Sequence, residues 1–97
     1  MLDNMNNIRK TVTYGGTVQG VGFRYTVVNL AKKRDVTGYV RNLADGRVEL
    51  VAEGAVSEID ALLDEIKISM KEYIEKIEVN ETTAAGIFTS FGIRRQG

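Results

Sequence analysis

Apolar side chains recur at two different spacings along this chain, and the order in which those spacings alternate restricts the fold more than any other feature. Ile8, Val12 and Tyr14 alternate with Arg9, Thr11 and Thr13, the pattern of a half-buried strand, with Lys10 as the one polar break on the apolar side. Phe23, Val27, Leu30 and Ala31 then recur at helical spacing, and Lys32, Lys33 and Arg34 follow where cations favour a helix C-terminus. Val36, Gly38, Val40 and Asn42 share the parity of a second strand, Leu43 to Gly46 form a turn ending in Asp-Gly, and Val48, Leu50 and Ala52 line one face of a third. Ser57 and Asp60 read as a capping box opening a second helix, striped by Ile59, Leu62, Leu63, Ile66 and Met70. Ile77 and Val79 mark a fourth strand, and Phe91 with Ile93 a short terminal one.

This β-α-β-β-α-β order with one added strand predicts an α+β, ferredoxin-like sandwich, in which two helices cover one face of a mostly antiparallel sheet. Right-handed crossovers lead us to expect the first and third strands to be adjacent and parallel. Polar residues at the alternate strand positions predict that the other sheet face meets water. The 97 residues suffice for a single domain over 8–97, after a flexible tail over 1–7. No apolar run approaches a membrane span, and Met1 to Asn7 lack a signal-peptide core, so a cytoplasmic location is expected.

Between the first strand and the first helix lies Gly16-Thr17-Val18-Gln19-Gly20-Val21-Gly22-Phe23-Arg24. Glycines let backbone N–H groups converge on one point and approach a ligand closely, and a helix N-terminus adds unpaired N–H groups and a positive dipole end. Arg24 in that first turn opposes the dipole, a local cost of roughly 0.3 to 1 kcal/mol that a bound dianion would reverse. The same glycines also suit a sharp bend with no ligand. The loop lacks the Lys-Ser/Thr ending of a nucleotide P-loop, and Gly20-Val21-Gly22 supplies only half of a dinucleotide fingerprint, so neither ATP nor NAD is supported.

Composition narrows the chemistry. The chain has no Cys, His, Trp or Pro, which excludes disulfides, thiolate or imidazole metal sites, cysteine nucleophiles and histidine general bases. The net charge is zero, yet residues 8–47 hold eight cations against Asp35 and Asp45, while residues 48–97 hold five cations and ten carboxylates. The glycine loop lies in the basic half, whose field could draw in a small anion. Asn42 shares the core-facing parity of Val36 and Val40, where a buried amide needs partners for its donors and acceptor. An asparagine there could equally start the hairpin turn by bonding nearby backbone.

Gly16 to Arg24, followed by Gly38-Tyr39-Val40-Arg41-Asn42, Asp45-Gly46 and Val48-Glu49, resembles the two signatures of the acylphosphatase family, in the right order and separation. The likeness runs from about Ile8 to Arg95. It implies an acylphosphatase-like domain that hydrolyses the carboxyl–phosphate bond of small acyl phosphates, with no metal or organic cofactor. By motif position, it implies that Arg24 holds the phosphoryl group and Asn42 orients the attacking water. The N–H groups of Val18, Gln19, Gly20, Val21, Gly22 and Phe23 are expected to face the phosphate, while the Val21 and Phe23 side chains pack. It further implies that the substrate phosphate helps to take the water's proton. A carboxylate leaving group needs little protonation, and phosphoryl transfer asks mainly for positioning and charge stabilisation, so the lack of histidine is no obstacle. Two departures stand out: Thr17 occupies a position often basic in the family, and Tyr39 one where tryptophan is common.

Two other classes fit parts of the sequence. A phosphate- or anion-binding module of the same fold would keep the loop without catalysis. Single-stranded RNA binding uses the same element order but needs aromatics on the outward faces of the first and third strands. Those positions hold Arg9, Thr11, Thr13, Glu49, Val51 and Glu53, so no nucleic-acid partner is expected. The size and the lack of a sticky stripe favour a monomer.

Overall fold

Each change of apolar spacing marks an element boundary in the computed structural model, which describes residues 7–95. The elements are β1 (Asn7–Gly16), α1 (Phe23–Ala31), β2 (Val36–Asn42), β3 (Val48–Ala55), α2 (Val56–Ser69), β4 (Ile74–Thr83) and β5 (Phe91–Ile93). Of the tail expected over 1–7, residues 1–6 lie outside the described residues, and Asn7 opens β1 opposite Ala55. No helix among the described residues is long and apolar enough to cross a membrane.

The sheet order is β4-β1-β3-β2-β5, with β5 joined in parallel to β2 and the other pairs antiparallel. The expectation that β1 and β3 run parallel is therefore wrong. Helix α1 carries the chain back so that β2 runs the same way as β1, one strand-width away, and the tight hairpin then sends β3 antiparallel into the gap. The consequence bears on the site. The C-terminal ends of β1 and β2 lie at one edge of the sheet, and Tyr14, Val48 and Asn42 form a single row across it.

Helices α1 and α2 cover the face that carries Val12, Tyr14, Val40, Val48 and Leu50, all within 1% of full burial. Ile59, Leu62 and Ile66 of α2 are fully buried against them, at about 1.5 to 3 kcal/mol per side chain. Lys10 breaks the pattern because its ammonium reaches from β1 to Asp60 on α2, 2.7 Å away. That contact also removes the expected capping box. Asp60 is engaged elsewhere, Ala55 is the N-cap, and Ser57 lies inside the helix with no side-chain cap bond made at its start.

The second sheet face departs from expectation at its centre. Val51 and Glu53 are 3% and 4% exposed, because residues 84–90 cross over them before β5. The N–H groups of Ala85 and Gly86 donate to the Glu53 carboxylate, each at 2.9 Å, and Arg9 Nε donates at 2.6 Å. Phe88 packs beneath the Arg9 guanidinium and edge-on to Tyr39. Burial opposes ionisation of Glu53, but the two N–H groups and Arg9 together outweigh it and hold its pKa below the usual glutamate range.

Candidate active site

The loop begins where β1 loses its partners. The register with β4 shifts between Gly15 and Gly16, and the Thr17 N–H donates to the Tyr73 carbonyl at 3.0 Å. Val18 is 1% exposed and Phe23 2%, with Phe23 tilted against Tyr14 at 4.9 Å between ring centres. These two side chains anchor the ends of the loop in the core. Between them Gly20 and Gly22 take φ of 80° and 79°, with open space where a Cβ would stand, so backbone conformation and not crowding calls for glycine.

Gly22 is the N-cap of α1, which has no side-chain cap and no acidic residue in its first turn. Among the described residues, the N–H groups of residues 18–25 donate to no protein acceptor. Arg24 likewise has no carboxylate partner there, whereas Arg9, Arg34, Arg41 and Arg47 each sit on one. A dipole end, unpaired amides and an unpaired guanidinium thus share one helix terminus.

A cavity of about 190 Å³ opens at this terminus, lined by Val18, Gly20, Gly22, Phe23, Arg24, Tyr25 and Asn42. It contains a cation and no carboxylate, and its volume is below the roughly 300 to 1,000 Å³ typical of drug-sized ligands. Asn42 arrives from the far end of β2, on the helix-covered side, because the row Tyr14–Val48–Asn42 is the last before the loop. Its side-chain oxygen is buried and accepts no hydrogen bond. The turn-starting reading of Asn42 fails on this point: Asp45 performs that task, accepting the Arg47 N–H at 3.1 Å.

Of the residues expected from sequence, Val18, Gly20, Gly22, Phe23, Arg24 and Asn42 line the cavity. Val21 packs against the core, in keeping with the packing role expected of it. Gln19 sends its side chain away from the cavity to the β2–β3 hairpin, where Nε2 donates to the Leu43 carbonyl at 2.8 Å and the Arg47 carbonyl at 3.0 Å. Sequence reasoning missed this bridge, and it missed Tyr25, a 69% exposed aromatic beside Arg24 on the cavity rim. Only the adjacency of Tyr25 to Arg24 in the first helical turn signalled its place. Of the two departures, Thr17 is exposed next to the loop, while Tyr39 lies outside the cavity lining, stacked under the Arg94 guanidinium at 3.7 Å.

Residues 10–93 match the family model described as Acylphosphatase. The chain belongs to the acylphosphatase family. A protein named Acylphosphatase from Methylococcus capsulatus is 41% identical over 88 residues, which cover 90% of this chain and 96% of that one. The crystal structure of acylphosphatase from Bacillus subtilis superposes with a TM-score of 0.81 at 33% identity, over 90% of this chain and 98% of that one. The acylphosphatase fold also matches part of a larger protein, full-length HypF in its phosphate- and nucleotide-bound form, with a TM-score of 0.79 at 28% identity over 12% of that chain.

Proposed function

We propose that this acylphosphatase-family chain hydrolyses small acyl phosphates, with the 190 Å³ cavity as its active site. The reading is carried by one juxtaposition: an unpaired arginine, Arg24, and Asn42, whose buried side-chain oxygen accepts no hydrogen bond, line the same small cavity at a helix N-terminus. The Arg24 guanidinium and the amides of residues 18–23 take the phosphoryl oxygens, where they neutralise charge that builds up in a loose transition state. The Asn42 oxygen accepts a hydrogen bond from the attacking water and aims it at phosphorus. As the new P–O bond forms, the bond to the carboxyl oxygen breaks and its electron pair leaves with the carboxylate. One water proton passes to a phosphoryl oxygen, giving inorganic phosphate. No step calls for a metal or an organic cofactor.

The same reading makes residues 8–97 one catalytic domain, monomeric and cytoplasmic, with a small-molecule substrate. A nucleic-acid partner is disfavoured by the segment that covers the centre of the outer sheet face. The test is phosphate release from benzoyl phosphate in the presence of a metal chelator. Wild type should turn over, and Arg24→Ala should lose at least about 10²- to 10³-fold, as for a removed transition-state donor. Phosphate binding without any turnover would instead identify a non-catalytic anion-binding module.

A further inference from the structure

We propose that the Gln19 side chain is a positioning residue, which fixes the Asn42 end of the hairpin relative to the phosphate cradle; this rests on the function proposed above. The ladder between β1 and β3 ends at Tyr14–Val48, and the ladder between β2 and β3 ends at Asn42–Val48. Beyond that row the loop is tied to the other side of the sheet through Thr17 and Tyr73. On the hairpin side, the Gln19 amide makes the only side-chain hydrogen bonds between the loop and the turn among the described residues.

Its two acceptors are not arbitrary. Leu43 follows Asn42 directly and Arg47 precedes Val48, so the amide spans the neck of the hairpin one residue past the last rung. The same neck is closed by the Leu43 N–H donating to the Arg47 carbonyl at 2.8 Å. Both hydrogens of Gln19 Nε2 are therefore spent on holding the loop to the strand pair that carries Asn42. The cradle and the water-orienting group come from different elements, and their separation must be kept to within a fraction of an ångström for in-line attack.

The experiment is a double-mutant cycle on benzoyl phosphate hydrolysis, with inhibition by inorganic phosphate measured for every variant. Gln19→Leu, and independently the unbranched Gln19→Met, should lower kcat about 10- to 100-fold, the scale expected of a misplacement near 1 Å. The inhibition constant for phosphate should stay within about threefold, since the cradle itself is intact. In an Asn42→Ala background the same substitutions should change kcat by less than about twofold, because two residues acting through one group are not additive. Thermal melting establishes that each variant is folded. An equal loss in both backgrounds, a parallel weakening of phosphate inhibition, or an unchanged kcat would each overturn the positioning role. Absence of turnover in the wild type would instead overturn the proposed function, and the inference with it.

Discussion

Arg24 and Asn42 reach one cavity from different parts of the chain, and their loss is expected to read differently in kinetics. In the proposed mechanism Arg24 offers a planar fork of donors to the phosphoryl group in ground and transition states alike, so its removal should weaken phosphate inhibition as well as turnover. The proposed mechanism assigns Asn42 to the attacking water and not to the phosphoryl oxygens. Asn42→Ala should therefore lower kcat by about 10² or more while phosphate inhibits as in the wild type. Wild-type turnover in that variant would remove Asn42 from the mechanism. Both residues could be picked out in the sequence because each breaks a local rule: a cation sits at a helix N-terminus, and an amide holds a core-facing strand position. The second role of Gln19 could not, since its side-chain acceptors lie 24 and 28 residues away and nothing local marks a glutamine that reaches across a sheet edge.

At the scale of elements, periodicity located every strand and helix but missed two features that depend on what lies beyond the element itself. Ser57 has the sequence context of an N-cap, yet the helix starts earlier and Asp60 is drawn to Lys10. Ser57→Ala should accordingly change unfolding free energy by less than about 0.5 kcal/mol, against about 1 kcal/mol for a true cap. Urea titration separates the two. The covering of the outer sheet face by residues 84–90 was also hidden, because that stretch has no periodicity and is held by backbone N–H groups on Glu53. Glu53 has a folded pKa below its ordinary 4.5, so its contribution is fully present above that value and is lost as pH falls through the folded pKa. Glu53→Gln should cost about 1.5 to 3 kcal/mol at pH 7, the scale of hydrogen bonds to a charged group. The deficit should shrink on acidification well below pH 4.5, where the wild-type carboxyl is itself neutral. A deficit of the same size at both pH values, measured by urea unfolding, would rule out the charge as its source.

For the molecule as a whole, the division of charge along the sequence does not become a division in space. Arg9–Glu53, Lys10–Asp60, Arg34–Glu65, Arg41–Glu49 and Arg47–Glu78 each join a cation of the basic half to a carboxylate of the acidic half. These pairs follow from the topology, since β3 lies between β1 and β2, and α2 packs over the sheet. The field expected from residues 8–47 is thus largely cancelled where it arises, and what remains at the cavity is Arg24 with the helix terminus. Such short-range attraction acts inside the Debye length of about 8 Å at physiological salt, whereas a steering field acts beyond it. Raising ionic strength from about 0.05 to 0.5 M should then lower kcat/KM for an acyl phosphate only about threefold, and not by the tenfold or more that a steered enzyme loses. A steep fall in kcat/KM with salt, at constant kcat, would mean that the basic half still acts on the substrate from a distance despite its pairing.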